Sequence, residues 1–320
     1  LADFDYDGVP EVYIGNQIFD ATDGSLIVHG DIVNFTGTPH NVGWYPLGSN
    51  PYMTTAPVAA DVLEADAQAC FHCDGLELIA GDQVYAVNLS VPTMIPVRDL
   101  QLSVGDGATR VVDLDGNGTL DAVFSAQNVG SGTTANSRLV AWDIQTGQTF
   151  GSGPIFWLNN VGSQERIAPP SIADVDGDGQ PEIVVVTSNN ITILEDYQTV
   201  GANDWGVRRL TNMNGPGTER ASIPISDQSG GTGSTVYDFN GDGAVEIVFR
   251  DQQNLFVFDD MLTTVSSTPC LSGTAMEYPV IADLNADGET EILCSCNNGA
   301  TTSLNAVSYT HLTLPTSVIV

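Results

Sequence analysis

The chain has 320 residues, with 40 acidic side chains against 8 basic ones and a formal net charge of -32. Such a surface repels phosphates, which excludes nucleic-acid binding and docking on anionic lipid. No apolar run approaches the roughly 18 residues that a membrane-spanning helix needs, while a hydrophobic content of 42% suffices for a packed core. All eight basic residues are Arg, and Asp outnumbers Glu by 29 to 11. Asp disfavours helix interiors and favours turns and cation sites.

In chain order, five segments share one pattern. They are Asp3–Glu11 (DFDYDGVPE), Asp113–Asp121 (DLDGNGTLD), Asp174–Glu182 (DVDGDGQPE), Asp238–Glu246 (DFNGDGAVE) and Asp283–Glu291 (DLNADGETE). A sixth, degraded copy runs from Ala60 and Asp61 to the segment DGLELIAGD, with an insertion carrying Cys70 and Cys73. Starts are 45 to 64 residues apart, as a fixed core with variable loops would give.

Each unit reads as a four-strand meander. In the fourth, Ser171–Ala173 enters the acidic loop, and Ile183–Thr187 (IVVVT) reads as a buried strand by its β-branched run. Ile191–Leu194 follows across the turn residues Ser188, Asn189 and Asn190, and Trp205–Leu210 supplies a fourth strand. Other units repeat the third strand as VYAVN, LVAWD and LFVFD. No segment shows helical periodicity. Repeated four-stranded units at this period predict an all-β fold, a β-propeller of four-stranded blades. A sandwich or a parallel solenoid is the competing all-β reading.

The acidic loop places Asp or Asn at positions 1, 3 and 5 and Gly at position 6. Three oxygen-bearing side chains then fold around one point, and the Gly takes a backbone angle that other residues resist. A hard cation seeking six to eight oxygens near 2.4 Å suits this arrangement, calcium better than magnesium. Position 9 is always a carboxylate. An EF-hand would need a bidentate Glu at position 12, where Ile14, Phe124, Val185, Phe249 and Cys294 stand. The residues after position 9 are β-branched, so EF-hand-like helices are excluded.

This pattern, an acidic loop opening an apolar strand in repeats of four strands, resembles the FG-GAP (VCBS, or integrin-alpha type) propeller repeat. The resemblance covers residues 1–305. It implies a calcium loop between the first and second strands of each blade, on one face of the disc. The ligands it implies are Asp3, Asp5, Asp7 and Glu11; Asp113, Asp115, Asn117 and Asp121; and Asp174, Asp176, Asp178 and Glu182. Asp238, Asn240, Asp242 and Glu246, then Asp283, Asn285, Asp287 and Glu291, complete the set, for up to five Ca²⁺. The second repeat lacks the spaced triplet after Asp61 and is expected to hold none. The family's propellers have seven blades, and six repeats are visible.

Both ends of the chain read as cut. Residues 306–320 are expected to be a non-native tail. Val307–Ser317 has no acid and no Gly, and resembles translated sequencing-adapter read-through. The alternative is a genuine final strand.

Cys70, His72 and Cys73 read as a local disulfide or loose thiols rather than zinc, since no second ligand pair accompanies them. Cys294 and Cys296 alternate on one strand face, so one of them is expected to meet Cys270. The turns Asp20–Gly24 and Asp143–Gly147 resemble quinoprotein repeats, with an ordinary hairpin turn as the alternative. His40, Trp44 and Tyr45 could line a sugar site or merely pack.

The reading that follows is a calcium-binding, extracellular, non-catalytic binding or adhesion module with a protein or carbohydrate partner. The alternative is a secreted polysaccharide lyase, which needs a basic residue near the sugar's α-proton and Arg or calcium on its carboxylate. Arg98, Arg110, Arg166 and Arg208 lie in different repeats.

Overall fold

A computed structural model describes residues 1–30, 56–63, 75–100, 107–127, 137–150, 156–157, 167–194, 219–227, 229–274, 277–284, 286, 288, 290–297 and 302–308. Their regular structure is entirely β, in six antiparallel sheets, one for each sequence repeat. Among the described residues no helix is long and apolar enough to cross a membrane.

The first sheet contains β1 (Val12–Ile14), β2 (Gln17–Phe19) and β3 (Leu26–His29), preceded by a bridge between Ala2 and Glu11. The second contains β4 (Val58–Ala60), β5 (Glu77–Ala80), β6 (Gln83–Asn88) and β7 (Thr93–Asp99). In the third, β8 (Ala108–Val112), β9 (Asp121–Gln127) and β10 (Ser137–Asp143) are followed by β11 (Gln148–Thr149) and β12 (Phe156–Trp157), both paired with β10. The fourth contains β13 (Ser171–Ala173), β14 (Glu182–Val186), β15 (Asn190–Leu194) and β16 (Glu219–Pro224). The fifth contains β17 (Thr235–Tyr237), β18 (Glu246–Arg250), β19 (Asn254–Phe258) and β20 (Thr264–Pro269). The sixth contains β21 (Val280–Ala282), β22 (Glu291–Asn297) and β23 (Thr302–Ser308).

Strands follow chain order in every sheet, so each repeat is a meander. The fourth strand of the fourth repeat is β16, and the stretch expected there, Trp205–Leu210, lies outside the described residues. β23 pairs with β22 as far as Val307 and Ser308, so this strand crosses the boundary expected at residue 306. Residues 309–320 lie outside the described residues.

The chain divides into two compact units. The first is Leu1–Pro169 with Asp196–Thr218, and the second is Pro170–Glu195 with Glu219–Val320.

In the first unit the strand period of two sets the core. Leu78 and Ala80 of β5, with Tyr85 and Val87 of β6, pack against Phe4, Ile18 and Val28 of the first repeat. The intervening residues Ile79, Val84 and Ala86 pack the other way, against Phe124, Val140 and Trp142 of the third repeat. The second sheet is thus covered on both faces, which is why its strands read as apolar runs instead of alternating. Each fully buried Val, Leu or Ile contributes roughly 1.5–3 kcal/mol. Trp142 also donates its indole N–H to the Gly81 carbonyl, so its polar edge is satisfied inside the core.

In the second unit β14 and β18 are buried along their whole length. Val248, Leu255, Val257 and Ile292 form a core shared by the fifth and sixth repeats. A Cys270–Cys296 disulfide joins those repeats, and Cys294 is a buried free thiol with its Sγ 3.7 Å from that of Cys270. Cys270 therefore meets one of the two alternating cysteines, as expected. Within this unit the first strands of successive repeats are neighbours, β13 beside β17 and β17 beside β21. β4 and β8 make the same contact in the first unit.

Candidate metal centre

In the third to sixth repeats the acidic loop links the first strand of the sheet to the second, and in the first repeat it joins Ala2, bridged to Glu11, to β1. Its path is set by two residues with positive φ. Position 6 is Gly in all five loops, with φ of 89° at Gly8, 89° at Gly118, 91° at Gly179, 96° at Gly243 and 89° at Gly288. Position 4 is also left-handed, at Tyr6 (56°), Gly116 (71°), Gly177 (77°), Gly241 (74°) and Ala286 (61°). The second requirement was not read from the sequence, because only three of the five copies meet it with Gly. A non-Gly residue there carries a cost of roughly 1–2 kcal/mol.

Backbone N–H groups hold the acids in place. The N–H of position 6 donates to position 1 in every loop: Gly8 to Asp3, Gly118 to Asp113, Gly179 to Asp174, Gly243 to Asp238 and Gly288 to Asp283. The N–H of position 5 donates to the side chain of position 3 in four loops: Asp7 to Asp5, Asn117 to Asp115, Asp178 to Asp176 and Asp242 to Asn240. Position 5 in turn accepts from the N–H of position 7, as Asp7 does from Val9 and Asp178 from Gln180.

The ninth residue does something that spacing alone does not reveal. It opens the strand that follows the loop or, in the case of Glu11, directly precedes it, is buried, and accepts the N–H of position 2. Phe4 donates to Glu11, Leu114 to Asp121, Val175 to Glu182, Phe239 to Glu246 and Leu284 to Glu291, at 2.6–3.0 Å. Burial pushes the carboxyls of Asp121 and Glu182 up to about 7, against the lowering effect of that hydrogen bond. Burial also raises Glu11 and Glu246, and neighbouring loop acids add to the shift in all four. A buried carboxylate among other carboxylates is an unfavourable arrangement that a cation would relieve.

Three loops bring their acids to one point. Oxygens of Asp3, Asp5 and Glu11 lie within 4.8 Å of one another, as do those of Asp113, Asp115 and Asp121, and those of Asp174, Asp176 and Glu182. Two oxygens on opposite sides of one calcium are about 4.8 Å apart, so each group fits a single ion. Asp121 is 0% exposed, and its Oδ1 has no hydrogen-bond partner while Oδ2 holds Leu114. That orphaned oxygen fits a metal ligand. The fifth-position acids Asp7 and Asp178 are not in these groups.

The other two loops differ. In the loop at 238–246 the third position is Asn240, which donates its side-chain amide to Glu246 at 2.8 Å. In the last loop Asp283 and Glu291 are described, while Asn285 and Asp287 lie outside the described residues.

The degraded second repeat keeps half of the device. Glu77 opens β5, is 0% exposed, and accepts from the N–H groups of Val62 and Leu63 at 2.9 and 3.2 Å. Its carboxyl is pushed up by burial to about 7. Leu63 stands where the other loops carry their third-position Asp or Asn. The sequence signal was the acid at the head of an apolar strand, hidden by the insertion before it.

Asp20–Gly24 and Asp143–Gly147 are hairpin turns, with Gly24 and Gly147 donating to the carbonyls of Asp20 and Asp143. Arg98 donates to the carbonyls of Ile144 and Val97, and Arg110 to that of Thr109. His40, Trp44, Tyr45, Cys70, His72, Cys73, Arg166 and Arg208 lie outside the described residues.

A family model of the FG-GAP-like repeat matches residues 174–249, which include the loops at 174–182 and 238–246. Comparison with curated proteins gives no match. Among solved structures, the crystal structure of the V. cholerae biofilm matrix protein Bap1 is similar at 12% identity, over 97% of this chain and 76% of that one, with a TM-score of 0.44. A likeness that loose carries no argument about fold or function.

Proposed function

We propose that this chain is a calcium-stabilised β-propeller segment that serves as a non-catalytic extracellular binding or adhesion module for a protein or carbohydrate. The observation that carries the metal assignment is the convergence of three carboxylates within 4.8 Å in each of three loops. Beside Asp113 and Asp115, the orphaned, buried Oδ1 of Asp121 can join them on one ion, whereas the likewise orphaned Oε1 of Glu77 has no such neighbours among the described residues. The repeated meander supports the blade reading, with first strands of successive repeats side by side within each unit. Calcium's part is structural: it neutralises acids that repel one another and ties the first strand of a sheet to the second. The Cys270–Cys296 disulfide fits an oxidising, extracellular setting.

Equilibrium dialysis against calcium, followed by glycan-array and protein-array binding in calcium and in chelator, tests the proposal. Saturable calcium uptake and calcium-dependent binding, with no unsaturated product from acidic polysaccharides, are expected. Eliminase activity on an acidic polysaccharide would replace the binding role with the lyase alternative. Absence of calcium uptake would remove the metal assignment.

A further inference from the structure

The loops at 3–11 and 174–182 have the same acids in the same places, yet one has a cation beside it. Arg220 sits near the start of β16, where the pairing with β15 slips. Ile193 faces Ala221 and Leu194 faces Glu219, leaving Arg220 as the extra residue. Such a bulge redirects a side chain. Here it sends the guanidinium to the acidic loop of its own repeat and to the turn of the next. Nη1 reaches Asp176 Oδ2 at 2.6 Å, Nη2 reaches Asp260 Oδ2 at 2.5 Å, and Nε donates to the Asp260 carbonyl at 3.1 Å.

The same slip recurs in two other repeats with a different residue. Between β2 and β3 the extra residue is Ile27, and between β19 and β20 it is Val265. Both pack against apolar cores. An arginine at this point is therefore not required by the bulge. In the second repeat Arg98 also donates its Nε to the turn of the next repeat, at Ile144, but from the far end of its strand. Leu63 leaves it no third-position acid to hold.

We infer that Arg220 is an internal competitor for the cation site at 174–182 and couples its occupancy to the packing of the following repeat. This rests on the calcium reading above. Asp176 belongs to the gathered carboxylates, and with its Oδ2 held by the guanidinium at 2.6 Å part of the negative charge that would draw a metal is already neutralised. Without metal, Arg220 neutralises part of the loop and latches it to Asp260. With metal, the positive guanidinium opposes the incoming charge, through a partly buried pair that salt screens weakly. The site at 174–182 is then weaker than the site at 3–11 despite equal acids.

Calcium titration of the full chain and of Arg220→Ile, Arg220→Lys and Asp174→Asn, with melting curves in chelator, tests this. Arg220→Ile should tighten one site by about tenfold and lower the metal-free melting midpoint. Arg220→Lys keeps the charge, so it should leave that site weak while losing the two-way latch and its stability. Asp174→Asn should abolish the same site that Arg220→Ile shifts. A residue that merely braced the loop would give the opposite sign, with affinity and stability falling together. Unchanged or weakened binding in Arg220→Ile, in a chain that otherwise takes up calcium, overturns the competitor role alone. A parent chain that takes up no calcium overturns this inference and the metal assignment together.

Discussion

At residues 174–182 and at residues 61–77 the chain makes the same crossing from the first strand of a repeat to the second. Both crossings end on a buried Glu at the head of the second strand, Glu182 in one and Glu77 in the other. Both acids accept the N–H of the loop's second residue, Val175 and Val62 respectively. The difference lies between those points. The first loop gathers Asp174 and Asp176 around Glu182, whereas the second has Leu63 at its third position and a long insertion. The buried acid is thus part of how the strands join, and the spaced triplet is an addition that makes a cation site. A ninth-position carboxylate by itself reports the joint and not the metal.

The sharpest way to break that comparison is to remove the first-position acid from each loop. Asp174 accepts from the N–H groups of Gly177, Asp178 and Gly179. Asp174→Ala should cost about 3 kcal/mol in saturating calcium, through lost charge-assisted hydrogen bonds and lost metal. Asp61→Ala should stay within about 0.5 kcal/mol, as an exposed substitution away from such a network. Denaturant unfolding of both variants checks this, and equal losses would erase the distinction between the loops.

A second effect, of at most the same size, sharpens it through pH. The carboxyl of Glu77 is raised by burial from 4.5 to about 7, so the folded chain binds this proton more tightly than the unfolded one. Its contribution to stability is therefore greatest below about pH 4.5 and is lost as pH rises to about 7. With calcium saturating the acidic loops, Glu77→Gln should gain on the parent by up to about 3 kcal/mol between pH 5 and pH 8. Melting midpoints across that range measure it. A pH-independent difference between variant and parent would mean that Glu77 is not a buried, strained acid.

The smallest effect concerns the left-handed fourth position. Tyr6 has φ of 56° and is 56% exposed, so little packing compensates the strain. Tyr6→Gly should stabilise the first unit by about 0.5–1 kcal/mol. The corresponding Gly177→Ala, at φ of 77°, should destabilise by a similar amount. Denaturant midpoints for the pair should move in opposite directions.

Much of this was legible in the sequence because it is written in local spacing. The Asp–Asp–Asp–Gly loop, the β-branched run Ile183–Val186 and the hairpin at Ser188–Asn190 each depend on residues within a few positions of one another. Non-local features were not legible. The pairing of Glu219–Pro224 with β15 was not read from the sequence, because a partner about 25 or more residues away, and not propensity, selects that strand. Glu77 was obscured by the insertion that separates it from Asp61. The choice of Cys296 over Cys294 for Cys270 is made by packing between repeats, since both cysteines share a strand face. Arg220 gave no signal, because its two carboxylate partners lie about 40 or more residues away.

The central claim is that calcium holds these loops, and with them the sheets, together. At roughly 10 mM free calcium and a dissociation constant of about 1 mM, each site adds about 1.4 kcal/mol by linkage. Three such sites, one for each loop that gathers its acids, would add on the order of 4 kcal/mol, a large share of the net stability of a domain. The direct measurement is a thermal unfolding curve in chelator, then with calcium or magnesium restored. Calcium should raise the midpoint by about 10 °C or more, and magnesium by much less, because these many-oxygen loops suit the larger and less strictly octahedral ion. A midpoint that moves by less than about 2 °C between chelator and saturating calcium would mean that the loops are ordinary turns and that the buried acids are held by the backbone alone.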